Sequence, residues 1–482
     1  MSTLEVPDRV ERWGVAELVL QGPTQGNPFE DQLVSATFSN GARAATMRGF
    51  YDGDGTYRVR FMPDQEGAWS VRVEASFLEH ALLGGFECTP ATPGSRGPVR
   101  VSPPSRFVHA DGTPFTPVGT TCYAWTHQPD AVVSQTLDTL RGGFFNKVRM
   151  CLLPKSYEFC MNDPMEFPFE SSNGSFDFRR PRPQAFQRFE RCVAALGRLG
   201  IEADVILFHP YDRWGFGRMS TAEDDAYLRY AVRRLSAYRN VWWSLANEWD
   251  YVRSKQVADW ERFASIVLEE DSSSHLLGIH NGSVLYDHGR PWITHASIQR
   301  VDLYKCCEHV GAWTRAYGKP VIVDEAGYEG NVPYGWGCIT AQELVRRFWE
   351  AFVRGGYATH GETYLHPEDE LWWAKGGKLF GSSAPRIKFL RQLFEQDHAQ
   401  DYRELDMIWD ATSGGVTGEY YLQYFGFMQP EYRELTLPDG DFHVDAIDTW
   451  NMTVERLPGA QRGKVKVPLG ARQYMAIRAK RV

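Results

Sequence analysis

The strongest constraint on this chain is a run of eight short, nearly continuous apolar segments between about residues 105 and 398, separated by amphipathic stretches. The segments are FTPVGTT, NKVRMCLL, EADVILFH, VWWSLANE, LLGIHNG, WITHASIQ, PVIVDEAG and GGYATHGE. Strands buried on both faces lose the alternation of half-buried strands and read as unbroken apolar runs. The stretches between them carry helical signals. In PQAFQRFERCVAALGRLG, Phe186, Phe189, Val193 and Leu196 share one face, and Gly200 stands where a helix C-cap needs a left-handed residue. Ser220 with Glu223, and Thr340 with Glu343, have the spacing of capping boxes ahead of apolar periodic runs. Eight strands alternating with helices over this span predict a (β/α)8, or TIM, barrel. A doubly wound sheet would show a glycine-rich first turn, and neither GxGxxG nor GxxxxGK[ST] occurs.

A chain of 482 residues exceeds one ordinary domain, and the flanks differ from the centre. Residues 1–100 alternate with period two, as in ARAATMRGF and TYRVRFMP, between the turn signals YDGDGT and DQEGAW. That pattern predicts a small β-sandwich. TPATPGSRGPVRVSPPSR reads as a Pro/Gly/Ser-rich linker. Residues 403–482 return to strands through EYYLQYFGF, DFHVDAIDTW, GKVKVPL and RQYMAIRAK, giving a second sandwich. The expected architecture is multidomain: a central α/β barrel over 105–398 between two β-domains.

Several function classes are disfavoured. A net charge of −9 offers no basic surface for nucleic acid. No stretch reaches the roughly 18–20 apolar residues of a membrane helix. MSTLEVPDRVERWG lacks the basic and apolar regions of an export signal, so a cytoplasmic location is expected. The eight cysteines form no CxxC pair, which suits reduced thiols. No HxH follows the first strand, and no HExxH or GxSxG occurs, so neither a metal centre nor a serine nucleophile is expected, and no cofactor is implied.

Barrel enzymes place their chemistry at the C-terminal ends of the strands. Here those ends carry Thr120, Thr121, Arg149, His209, Asn247, Glu248, His280, His295, Glu325, His360 and Glu362. Glu248 ends the fourth strand and Glu325 the seventh, on opposite sides of the mouth, where two carboxyl groups can flank a sugar ring. Glycoside cleavage needs such a pair, one to protonate the leaving oxygen and one to attack the anomeric carbon or activate water. Asn247 can reach a sugar 2-OH, and Arg149 can hold Glu325 ionised. Trp243 and Trp249 are expected as apolar neighbours keeping Glu248 protonated. Tyr123, Trp125, Tyr328 and Trp373 are candidate pocket walls; His209, His295 and His360 are candidate sugar contacts. Glu362 reads as a sugar-hydroxyl acceptor or an arginine partner.

The ANE and VDEAG strand ends resemble those of clan A glycoside hydrolases. The whole chain resembles one arrangement within that clan: an immunoglobulin-like domain, marked by GFYDGDGTYRVRFMPDQEGAW, an apiosidase-like barrel and a C-terminal β-domain. The resemblance implies Glu248 as acid/base, Glu325 as nucleophile, Asn247 on the 2-OH and Arg149 beside the nucleophile. Many clan members support the nucleophile with a tyrosine after strand six; WITHASIQ has none, with Tyr304 further on, so that role is unassigned. The expected function is retaining, exo-acting hydrolysis of a short oligosaccharide or glycoside. An endo-acting β-glycanase and a silent carbohydrate-binding barrel are the alternatives, and self-association is left open. If the thiols are reduced, titration of the unfolded, unreduced protein should count all eight cysteines; a shortfall of two would point to an oxidising compartment.

Overall fold

The computed structural model describes residues 4–41, 43–103, 105–300, 302, 304–367, 371–397, 401–407 and 409–482; the expected barrel limit at residue 398 lies outside them. Eight parallel strands form the centre: β1 (Gly119–Thr121), β2 (Lys147–Cys151), β3 (Glu202–Phe208), β4 (Val241–Ala246), β5 (Leu277–Gly278), β6 (Ala296–Gln299), β7 (Val321–Glu325) and β8 (Tyr357–His360). They pair in the spatial order β5-β4-β3-β2-β1-β8-β7-β6. A parallel bridge between His280 and Ser297 joins the two open edges, so the sheet closes into a barrel. Every residue of β2, β3 and β4 is buried, which is why these strands read as unbroken apolar runs.

Local signals set the helix ends. The helix Pro183–Arg198 buries Phe186, Phe189, Val193 and Leu196. It stops because Gly200 takes φ +70°, letting the Gly200 amide reach the Gly197 carbonyl and the Ile201 amide reach that of Leu196. Ser220 and Glu223 form a reciprocal capping box at Thr221–Leu235. At Ala341–Val353 only half of the expected box forms, the Thr340 hydroxyl accepting from the Glu343 amide.

Inside the barrel, Lys147 Nζ lies 2.8 Å from both Asp204 and Asp324, and Arg149 Nε lies 3.6 Å from Asp204. Ser297 and Thr359 also donate to Asp324. The floor is closed differently from the sequence reading. Part of the proline-rich stretch taken as linker forms the antiparallel strands Val99–Ser102 and Arg106–His109. They push Phe107 against Trp242, His295 and Tyr357 beneath the barrel. Strands this short, broken by prolines, give too little alternation to be recognised.

The N-terminal sheet domain packs a four-stranded sheet on a five-stranded one around Leu18, Phe38, Val59, Trp69 and Val73. The C-terminal domain has a six-stranded sheet and a two-stranded one around Phe442, Val444, Val467 and Ile477. Among the described residues, no helix is long and apolar enough to cross a membrane.

The N-terminal domain is tied to the barrel by buried charges. Arg234 lies 2.5 Å from Glu190 and 2.8 Å from Asp52, and Arg60 lies 2.9 Å from Glu190. Removing one member leaves the others buried and unbalanced. Arg234→Ala should therefore lose about 3–5 kcal/mol of unfolding free energy, read from urea denaturation; a loss within error of zero would mean that the network contributes nothing.

Candidate active site

The C-terminal mouth of the barrel opens into a cavity of about 480 Å³ whose lining includes Tyr123, Lys155, Tyr211, Asn247, Glu248, Gln299, Glu325, Tyr328, Trp336 and Trp373. Both strand-end glutamates face it. Glu248 follows β4 with φ 53° and ψ 58°, a left-handed backbone that a side chain rarely adopts. The amides of Asn247, Trp249 and His280, bonded to the carbonyls of Phe208, His280 and Ala246, pin the chain on either side. Strain of this kind persists where surrounding structure over-determines it.

The two carboxyl groups meet different surroundings. Glu248 Oε2 accepts from the Tyr211 hydroxyl and from Asn247 Nδ2 at 3.2 Å, and Oε1 accepts from Gln299 Nε2 at 3.2 Å. Burial and the neighbouring Glu325 charge raise its pKa against the opposing pull of Tyr211, Lys155 and His280. Glu325 Oε1 accepts from the Tyr123 hydroxyl, with His280 Nε2 at 3.6 Å and Arg149 Nη1 at 3.9 Å. Burial alone would raise its pKa, but His280, Arg149 and Tyr123 together outweigh it and hold the carboxyl well below the usual range. One site thus holds two carboxyl groups whose proton affinities are pushed in opposite directions.

Supporting bonds fix both groups. Asn247 Oδ1 accepts from Arg149 Nη2 at 3.1 Å, and the Tyr123 hydroxyl lies 3.1 Å from the same atom. His280 contacts Ser297 Oγ through Nδ1 at 3.1 Å and Gln299 Oε1 through Nε2 at 3.2 Å. Since Ser297 in turn donates to Asp324, a hydrogen-bond chain runs from the barrel interior through His280 and Gln299 to Glu248. Lys155 Nζ lies over the rings of Tyr123, Tyr211 and Trp373, at 3.6, 4.4 and 4.5 Å from their centroids. Burial lowers its pKa.

Of the residues singled out from sequence, Tyr123, Arg149, Asn247, Glu248, Glu325, Tyr328 and Trp373 gather at this cavity or directly beneath it. Five do not. Trp125 is fully buried and donates to Met150 Sδ, so it walls nothing. His209 spends Nε2 on the Leu153 carbonyl, and burial drops its pKa to about 4. His295 precedes β6 and packs on Phe107 and Trp242 at the floor. His360 is buried against Phe145 and bonded to Thr120. Glu362 accepts from the amides of Phe380 and Gly381, rather than from a sugar or an arginine. The tryptophans expected beside Glu248 are also elsewhere: Trp243 donates to Asp271 and Trp249 to the Val284 carbonyl.

Sequence reasoning missed Tyr211, Lys155 and Gln299 and gave His280 no role. Tyr211 stands three residues after β3 ends its apolar run, in a loop beside the end of β4, which is the one signal available. Lys155 is a lone lysine in a loop and carries none. The hydroxyl that supports Glu325 comes from Tyr123 after β1, while Tyr304 after β6 is 84% exposed.

Residues 103–399 match the apiosidase-like catalytic domain, and residues 9–76 and 409–480 match two domains of unknown function, DUF5060 and DUF5605. No curated protein matches. A candidate glycoside hydrolase from Bacteroides vulgatus of known crystal structure is 37% identical, covers 99% of this chain and 100% of its own, and superposes with a TM-score of 0.93. A family 5 glycoside hydrolase from the same organism is 15% identical, covers 81% of this chain and 95% of its own, and shares the fold with a TM-score of 0.64.

The environments of the two glutamates can be measured directly. In carbon-13 NMR of labelled protein, Glu248 should titrate above the ordinary glutamate range and Glu325 below it. Tyr211→Phe removes a donor to the ionised form, so the Glu248 midpoint should rise further. Glu325→Gln removes a like charge, so it should fall. Identical midpoints for the two residues would contradict the geometry.

Proposed function

The chain belongs to the apiosidase-like family, and from that premise we propose that it is a retaining glycoside hydrolase, exo-acting on a short oligosaccharide or glycoside. One observation carries the reading: Glu248 and Glu325 face a single cavity, the first with its proton affinity raised and the second with it lowered. Glu325 attacks the anomeric carbon while Glu248 protonates the departing oxygen. Glu248, now ionised, then takes a proton from water that cleaves the glycosyl-enzyme, and the anomeric configuration is retained. A carboxyl separation of about 5–5.5 Å belongs to this mechanism, against about 6.5–9.5 Å for inversion.

The neighbouring residues fit parts of the cycle. Asn247 Nδ2 spends one hydrogen on Glu248 and keeps another for a sugar 2-OH, a contact that strengthens in the transition state. Tyr123, Arg149 and His280 offset negative charge on Glu325 and orient the attacking oxygen. The Lys155 ammonium offers donors to sugar hydroxyls, and Trp336 and Trp373 offer faces for stacking. Exo-action is supported by the loop after β2, which brings Lys155 and Tyr157 over the cavity, and by the loop after β8, which brings Trp373. An endo-acting enzyme would release mixed oligosaccharides from a polymer, and product analysis separates the two modes.

The roles of the two glutamates are separable. Glu325→Ala should lose about 10⁴-fold or more on every substrate, because glycosylation cannot begin. Glu248→Ala should retain glycosylation by substrates whose leaving group is already acidic, and should accumulate the glycosyl-enzyme. Added azide should then restore turnover and yield a glycosyl azide of the substrate's own configuration, read by proton NMR. An inverted azide from this variant would reverse the roles assigned here.

A further inference from the structure

Behind the cavity wall lies a second cluster that the proposed chemistry does not use. Residues Glu329 and Glu362 are paired neighbours in the short parallel ladder continuing β7 and β8, and His360 stands two positions before Glu362 on the same face. All three are buried, at 1%, 1% and 0% exposure. One nitrogen of His360 and one oxygen of each carboxylate lie within 4.8 Å of one another.

Lone pairs and charge both leave this cluster incomplete. Glu362 accepts one backbone amide on each oxygen, from Phe380 at 2.5 Å and Gly381 at 2.8 Å. Glu329 accepts from the Ser382 amide and the Tyr364 hydroxyl on Oε1, and from the Ser383 amide on Oε2. Three of the four oxygens therefore keep a free lone pair. His360 has Nδ1 on Thr120 Oγ1, while its Nε2, fully buried, has no partner among the described residues. No described side chain forms an ion pair with either carboxylate, and Arg386 spends its guanidinium on the carbonyls of Ser382 and Trp450. Arg386 acts on Glu329 only through its charge at a distance, so the two adjacent buried carboxylates lack a directly paired cation, which is costly.

We propose that Glu329, His360 and Glu362 bind a divalent transition cation, zinc or manganese, that ties the ends of β7 and β8 to the segment 380–383. One imidazole nitrogen with two carboxylate oxygens suits these ions, and two carboxylates neutralise the charge. The amides of 380–383 and Thr120 supply the outer hydrogen bonds that orient metal ligands. Enclosure on all sides makes the site structural rather than catalytic. Its ligand Glu329 adjoins Tyr328, which walls the cavity, so the ion would hold that wall in place. No sequence motif announces the set, because Glu329 and His360 are far apart in the chain and meet only through strand pairing.

The test is metal content of tag-free full-length protein produced in medium supplemented with zinc or manganese chloride. One ion per chain after gel filtration, a melting temperature that rises with added metal and saturates at one equivalent, and an anomalous diffraction peak among the three residues are expected. Glu362→Gln should weaken binding by at least about ten-fold. Should that variant fail to fold, the position of the anomalous peak in the unaltered protein decides. Protein that holds well under one ion per chain, or a peak located elsewhere, overturns the proposal.

Discussion

The candidate site rests on charges locked inside the barrel. Lys147 and Arg149 from β2 meet Asp204 from β3 and Asp324 from β7 where the side chains are shielded from bulk solvent. Such a set is costly to bury and strongly directional once formed, because breaking one pair strands the others. It also reaches both cavity-facing carboxyls. Arg149 extends from the cluster to Asn247 and Glu325, and Asp324 begins the chain through Ser297, His280 and Gln299 that ends on Glu248. The charges that fill the barrel therefore also orient the site.

The asymmetry between the two glutamates follows from this arrangement. Each is buried and would, alone, resist ionisation. Glu325 receives the cationic side of the network and a tyrosine hydroxyl, whereas Glu248 receives neutral donors and faces the Glu325 charge. Burial is shared; the partners differ.

Much of the barrel was legible in the chain because its strands, covered on both faces, leave an unmistakable apolar pattern, and glycine and capping residues mark the helix ends. The placement of Glu248 and Glu325 followed from counting those strands. What stayed hidden depends on contacts across the sequence. Strand-end residues point either into the mouth or away from it, and sequence cannot separate Tyr123, which reaches Glu325, from His360, which turns to Phe145. His295 looked like a mouth residue because WITHASIQ was read as strand from Trp292; β6 begins only at Ala296, which puts His295 just ahead of the strand, at the floor. Lys155 and Tyr211 come from loops, where period carries no information. The Phe107 hairpin was lost among prolines.

The left-handed backbone at Glu248 sets local stability against the carboxyl group that the proposed reaction needs. Glycine adopts such angles without penalty, so the backbone there favours the one residue that has no side chain to offer. A screen for thermostability alone would therefore tend to drift toward glycine at 248 and would discard the carboxyl group in doing so. Keeping glutamate there means that the fold carries a standing local strain, of the order of 1–3 kcal/mol, which the hydrogen bonds on either side must absorb. Any effort to harden this protein should begin away from the end of β4.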